Sequence, residues 1–269
     1  MKRALSILVL VGLLLGGSIL VAPIARPASL KHWAEDAMST HRHALWHIVH
    51  DLCEPNARAT GAAAPCTAVN LQAGYAVLKD IQGPTQYLVI PTAQVSGIES
   101  PSLLQPDSPN YWRDAWRARL WLEKKVGRPV PRWGVGLAVN SQPGRSQDQL
   151  HIHLDCVRAD VSQVLARRAA AIGDRWSSLT VGPGHYRYRV RWIGGADLGD
   201  RDPFSLLAEA DPVARADMGQ ETLAVIGAQR PDGRTGFILL ADRADLNGGD
   251  IGGAEELLDH SCGQFLRAG

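Results

Sequence analysis

The sequence predicts an α+β fold built on an antiparallel sheet, preceded by an N-terminal transmembrane helix. Three observations carry this expectation. An uncharged run from Ala4 to Ala25 follows Lys2 and Arg3. The central part of the chain then reads strand, strand, helix, strand, strand, the order of an antiparallel sheet with helices laid on it. Further on, ETLAVIGAQ and TGFILLADR flank RPDGR, a strong hairpin signal.

The apolar run is long enough to cross a hydrocarbon core of about 30 Å at about 1.5 Å per helical residue. Its positive flank favours a cytoplasmic N-terminus. A cleaved signal peptide is the alternative, but cleavage after Ala25 or Ala28 would put Pro23 or Arg26 where a small residue belongs. Residues 1–30 are therefore expected to form a membrane anchor and residues 31–269 an exported domain. The composition is that of a globular chain: 269 residues, 45% hydrophobic, formal net charge +1. The near-zero charge gives no sign of nucleic-acid binding.

The four cysteines allow three pairings. Cys53 and Cys66 bracket EPNARATGAAAP, read as a loop, and closing it stabilises the fold by about 3 kcal/mol in the chain-entropy model. That leaves Cys156 with Cys262. Buried free thiols are the alternative; an oxidising compartment favours the disulfides.

The elements follow in order. KHWAEDAMSTHRHALWHIVHDLC, residues 31–53, reads as a helix with His43, His47 and His50 on one face, either a packed or solvated face or a metal site. AGYAVLKD and QYLVIPT form a strand pair about the turn IQGPT. SPNYWRDAWRARLWLEKKVG is an amphipathic helix, with Trp112, Trp116, Leu120 and Glu123 in line, ended by Gly127 and Pro129. WGVGLAV is a strand, NSQPGRSQDQ a polar loop and LHIHLDCV its antiparallel partner. ADVSQVLARRAAAIGDRW reads as helix, HYRYRVRWI as strand, and GAEELLDHSC as a closing helix. With no linker between the halves, one compact unit of two interlocked sheets is expected.

LHIHLDCV carries the chemistry. Side chains alternate along a strand, so Leu150, Ile152, Leu154 and Cys156 point to a core, while His151, His153 and Asp155 share the other face. Two histidines at this spacing can bind zinc, with Asp155 or His185 as a third ligand. A neutral histidine can instead attack phosphorus, provided its second ring nitrogen is hydrogen-bonded and donors hold the phosphoryl charge. Asn140, Ser141, Arg145, Ser146 and Gln147, in the loop before it, offer such donors.

NSQPGRSQDQLHIHLD resembles the histidine-triad superfamily, whose strand reads His-x-His-x-His. His151 matches the first histidine, His153 the middle, nucleophilic one, Gln147 the loop glutamine and Asn140 the end of the preceding strand. Asp155 replaces the third histidine, and Asp148 stands where Ser or Thr is usual. Together with LQAGYAVLKDIQGPTQYLVIPT, GIESPSLL and DPFSLLAE, the stretch is similar to the bacterial CDP-diacylglycerol pyrophosphatases, from about Cys53 to Cys262.

The resemblance implies a histidine-triad-like sheet, with the second half a related sheet, in an exported catalytic domain. It implies hydrolysis of CDP-diacylglycerol to CMP and phosphatidate, with His153 as nucleophile and His151 orienting the site. Asn140, Ser146, Gln147, Asp155 and Lys79 are expected to bind substrate. It assigns no cofactor or metal, and it places the enzyme in the inner membrane with its domain in the periplasm. A lipid-nucleotide binder without catalysis and a zinc phosphohydrolase are the alternatives. The basic face of HYRYRVRW, with His185, Arg187, Arg189 and Arg191, is expected to meet the diphosphate, anionic lipid or open solvent.

Overall fold

The computed structural model describes residues 41–266. The expected anchor and the first part of the expected helix over residues 31–53 lie outside them. Among the described residues, no helix is long and apolar enough to cross a membrane.

The chain enters through α1 (Ala44–His47), passes into π-helical turns over Ile48–Cys53, and continues as α2 (Glu54–Thr60). The stretch after Cys53, expected as loop, is thus helical as far as Thr60. Pro55 falls within this continuous helical run, directly after the π-helical turns. Arg58 pairs with Glu54 one turn back, and Gly61, at φ 72°, ends the helix in the left-handed conformation. Of the helix's histidines, His47 contacts Asp51 at 2.8 Å and His50 stacks on Trp46.

Ten antiparallel strands then form a single sheet. They are β1 (Ala68–Asn70), β2 (Tyr75–Lys79), β3 (Tyr87–Pro91), β4 (Val135–Val139), β5 (Ile152–Val157), β6 (Ser177–Val181), β7 (Tyr186–Gly194), β8 (Glu221–Gln229), β9 (Thr235–Arg243) and β10 (Leu258–Asp259). Their order is β1-β2-β3-β5-β4-β8-β9-β7-β6, with β10 paired to β5. The two expected interlocked sheets are therefore one. Gly136–Val139 of β4 pairs with Leu223–Ile226 of β8, so the backbone ladder runs unbroken across the middle.

One face of the sheet is covered by α3 (Tyr111–Val126) and α5 (Pro203–Ala210), whose Trp112 and Phe204 rings meet at 5.2 Å. α3 starts where Asn110 accepts the Arg113 N–H and stops at Gly127, φ 84°. It buries Trp112, Trp116, Leu122 and Val126, whereas Leu120, expected on the same stripe, is exposed. At about 100° per residue, Leu120 lies on the far side of Trp116 from Leu122 and Val126.

The opposite face is covered in two pieces. Leu45 and Val49 of the first helix, with the Cys53–Cys66 disulfide, pack on Ala76, Leu88 and Ile90. α4 (Ala159–Arg168) lays Val161 and Leu165 over the second half. The helix expected to run on to Trp176 ends at Arg168, because the chain turns at Gly173, whose carbonyl accepts the Trp192 N–H of β7. The expected C-terminal helix is instead a 3-10 turn, Ala254–Leu257, followed by β10. Leu258 and Asp259 pair with Val157 and Cys156, beyond the reach of β3 on that edge of β5. The Cys156–Cys262 disulfide closes two residues after His260. Both expected cysteine pairs are thus present.

Candidate active site

His153 lies in a row of directly paired residues that crosses the sheet. The row runs Val190, Leu240, Ala224, Ala138, His153, Leu88, Leu78. Directly paired residues share a face. His153 is the polar member of an otherwise apolar row. Ile152, Leu154 and Cys156 point to the other face and join the main core, as the alternation of the sequence requires.

Over His153 opens a cleft of about 570 Å³. Its polar wall holds His151, His153, Ser146, Gln147, Lys79, Asp80 and Glu255, and its apolar wall Ala44, Leu45, Ile48, Leu78 and Leu88. The His151 and His153 rings stand edge to face, with centroids 4.9 Å apart. His151 Nδ1 is 2.7 Å from the Gln149 carbonyl. Gln149 is itself fixed, donating to the carbonyls of Pro91 and Ala93 and accepting from Val95 N–H. Burial, with His153 beside it, pushes His151 down to about 4. Burial also holds His153 below the ordinary imidazole value, against the pull of Glu255 and Asp80. Both rings are therefore neutral near pH 7.

The two nitrogens of His153 differ. Nδ1 lies 3.4 Å from Glu255 Oε1 and 3.1 Å from Gln86 Nε2. Nε2 is buried without a hydrogen-bond partner among the described residues. Gln86 Nε2 spends its two hydrogens on Asp80 and Glu255, so the Glu255 carboxylate favours the tautomer with the proton on Nδ1 and a lone pair on Nε2. Burial alone would raise the Glu255 carboxyl, but His153, Gln86, Asn140 and His260 together hold it below its usual range.

Glu255, Gln86, Asp80 and His260 were not among the residues singled out from the sequence. Gln86 Nε2 donates to Asp80 at 2.6 Å and to Glu255 at 3.1 Å. His260 Nε2 lies 3.6 Å from Glu255 Oε1, and its Nδ1 lies 3.6 Å from Asp155 Oδ2. One signal pointed to His260. The expected Cys156–Cys262 pair already brings residue 260 close to Asp155.

The expected substrate-binding residues divide. Ser146 and Gln147 line the cleft, although Gln147 also donates to the His41 carbonyl and accepts from Leu45 N–H. Lys79 lines it with Nζ donating to the carbonyls of Asp80 and Gly83. Asn140 reaches Glu255 instead, donating to Oε2 at 3.1 Å and accepting its backbone N–H. Asp155 is fully buried; it accepts from Cys156 N–H and faces His260. Two donors of the loop serve the loop itself. Ser141 donates to the Ile251 carbonyl, and the buried Arg145 grips Glu99 and Asp148.

Two sequence expectations fail on geometry. His185 sits in the turn before β7, four strands from β5 and so about 19 Å away at about 4.8 Å per strand. It cannot complete a site with His151 and His153. The arginines of β7 lie on the opposite face of the sheet, because Val190, between them, shares the row of His153. Arg189 there pairs with Asp211 and Glu221, and Arg191 stacks on Trp176. Contact with a diphosphate held at His153 is therefore excluded for this face. Among the described residues, the groups close enough to share an ion are Asp155, Cys156 and Cys262, and those two sulfurs are joined in a disulfide.

A family model described as CDP-diacylglycerol pyrophosphatase matches residues 40–265, nearly the whole described domain. The chain belongs to the CDP-diacylglycerol pyrophosphatase family. A CDP-diacylglycerol pyrophosphatase of Yersinia pestis is 45% identical over 219 residues, covering 81% of this chain and 83% of that protein. The match spans every element that builds the cleft, from the helix at Ala44 to the turn at Glu255.

Proposed function

We propose that this chain hydrolyses the diphosphate of CDP-diacylglycerol to CMP and phosphatidate through a covalent histidine intermediate on a histidine-triad-like sheet. Membership of the family supports the reaction. One observation carries the mechanism: His153 Nε2 is buried at the cleft with no hydrogen-bond partner among the described residues, while Nδ1 faces Glu255.

In the first step the Nε2 lone pair forms a bond to the CMP phosphorus. The phosphorus–oxygen bond toward phosphatidate breaks, and its electron pair leaves on the phosphatidate oxygen. The ring then carries cytidylyl on Nε2 and a proton on Nδ1, and the Glu255 carboxylate offsets its positive charge. In the second step water forms the new phosphorus–oxygen bond, His153 departs, and one proton is released. His151, neutral and held through Nδ1, offers Nε2 as an acceptor for that water. Lys79, Ser146 and Gln147 surround the phosphoryl oxygens. Asn140 acts through Glu255, and the apolar wall receives the lipid portion.

The anchored, exported arrangement belongs to the same reading. A domain with two disulfides suits the periplasm. A tether in the inner membrane, formed by residues 1–30, would keep the cleft next to a lipid substrate.

Turnover and binding of His153→Ala test the reading together. The variant should lose about 10⁴-fold in kcat or more, as expected when a nucleophile is removed, and should keep its affinity for CDP-diacylglycerol. Turnover close to the parent enzyme would overturn the proposal.

A further inference from the structure

We infer that His260 is a positioning residue of this site: a cation held between Asp155 and Glu255 that keeps the Glu255 carboxylate ionised and aimed at His153 Nδ1. The inference rests on the reading of His153 as nucleophile. It assigns a task to two groups that the mechanism above does not use, the buried Asp155 and the imidazole of the C-terminal segment.

Four groups stand in sequence: Asp155, His260, Glu255, His153. The successive contacts are 3.6, 3.6 and 3.4 Å. Among the described residues, His260 is thus the imidazole with a carboxylate near each nitrogen, which favours its doubly protonated form. Asp155, 3.6 Å away, raises His260 above the ordinary imidazole value against the effect of burial, with Glu255 and Asp80 adding to it. His153 is the titratable group that faces it with the opposite tendency.

The carboxylate in the middle is held ionised by His153, Gln86 and Asn140, and this cation adds to their effect. Glu255 is three-quarters buried, and burial favours the neutral acid. A protonated Glu255 could donate to Nδ1 of His153, and the ring would then carry its proton on Nε2, the nitrogen that must attack. A cationic His260 prevents this by stabilising the ionised form, while Asn140 and Gln86 fix its orientation.

The backbone holds His260 from three sides. β10 pairs the two preceding residues with β5, and the Cys156–Cys262 disulfide fixes the chain two residues later. Thr85 Oγ1 donates to the His260 carbonyl at 2.9 Å. Gly83 passes so close that a Cβ there would lie 2.4 Å from the same carbonyl oxygen. These contacts fix the backbone from which the imidazole reaches Asp155 and Glu255.

The test compares kcat, KM and pH profiles of the full chain with those of His260→Gln and Asp155→Asn, on CDP-diacylglycerol in detergent micelles. In His260→Gln, kcat should fall about tenfold to a hundredfold, the usual effect of losing a group that orients a reacting histidine, with KM nearly unchanged. The acid limb should move to higher pH, because a cation that disfavours protonation of His153 is gone. The alkaline limb set by His260 should vanish. Asp155→Asn keeps the imidazole but removes its strongest anionic partner, so the alkaline limb should move to lower pH. If His260→Gln folds and keeps the parent kcat and profile, the inference is wrong. If it does not fold, an unmoved alkaline limb in Asp155→Asn rejects the inference equally. A cytidylyl group trapped on the parent enzyme shows that the His153 reading stands in either case; its absence condemns that reading and not only the role of His260.

Discussion

The two halves of the sheet follow the same plan and end in opposite chemistry. In the first half the chain runs β2, β3, α3, β4, β5, and the strands lie in the order β2-β3-β5-β4. In the second it runs β6, β7, α5, β8, β9, and they lie in the order β6-β7-β9-β8. Each half is a hairpin, a helical crossing and a second hairpin laid beside the first, its last strand paired with the first hairpin's second strand. The halves meet through β4 and β8. In this scheme β9 is the counterpart of β5. On the same sheet face β5 presents His153 and Asp155, whereas β9 presents Ile238 and Leu240, both buried in an apolar cluster under α4.

The difference lies in what covers the strand. α4 lays Val161 and Leu165 over Ile238 and Leu240, so apolar residues gain the most at these two positions. Over the first half the covering elements are the N-terminal helix and the Ala254–Leu257 turn, and a cleft remains between them. A buried polar group is stable only with partners. His151, His153 and Asp155 find theirs in Gln149, Glu255, Gln86 and His260. The strand framework is thus common to both halves, and the site is made by what is laid on it.

The largest effect should come from erasing the difference. His153→Leu makes the row apolar throughout; turnover should disappear while the thermal midpoint stays level or rises, because an unpartnered buried nitrogen is removed. The reverse change, Leu240→Asn, puts a polar group where no partner waits and should cost about 2–5 kcal/mol in a denaturant titration, with turnover per folded molecule unchanged. A stable Leu240→Asn would show that the second half is not closed as described.

A smaller effect is expected at Glu255. Glu255→Gln should lower kcat about tenfold to a hundredfold, as for other partners that orient a reacting histidine. It should also move the acid limb of the kcat profile to lower pH. The sign follows from charge: Glu255 favours protonated His153, so its loss lets burial depress His153 further. In the parent enzyme the acid limb should already lie below the ordinary imidazole value near 6.5, since the attacking form is neutral. An acid limb above that value would contradict the assignment of the limb to His153.

The smallest effect concerns the arginines of β7. Arg187→Ala should change stability by less than about 0.5 kcal/mol and leave micellar turnover alone, because the residue is exposed and lies on the face away from the cleft. A marked loss of turnover in micelles would mean that the two faces of the sheet are coupled.

The half that holds the cleft was the more legible from sequence, but only in its strand. Period-two alternation in LHIHLDCV placed both histidines on one face and Leu154 and Cys156 on the other without reference to the rest of the chain. The donor loop was legible in composition but not in direction. Ser141 and Arg145 look as suited to phosphate as Ser146, yet one bonds the Ile251 carbonyl and the other is buried against a pair of carboxylates, Glu99 and Asp148. Glu255 and His260 were hidden because a helical pattern fits GAEELLDHSC locally. Strand pairing with β5 and the disulfide to Cys156, a hundred residues back, override that pattern. The continuity of the sheet was hidden for a similar reason, since nothing local in WGVGLAV says that its second edge will pair with ETLAVIGAQ.

The central claim is that His153 Nε2 becomes covalently bound to the cytidylyl phosphorus, and one measurement addresses it directly. The enzyme is mixed with CDP-diacylglycerol labelled in the CMP phosphate and quenched within a single turnover, and the labelled peptide is sequenced by mass spectrometry. The account predicts a cytidylyl adduct on the peptide containing His153, labile to acid and stable to base, as a phosphoramidate should be, and absent from Glu255→Gln at equal times because that variant forms it more slowly. Label that never becomes protein-bound while turnover proceeds, or label on a residue other than His153, would contradict it.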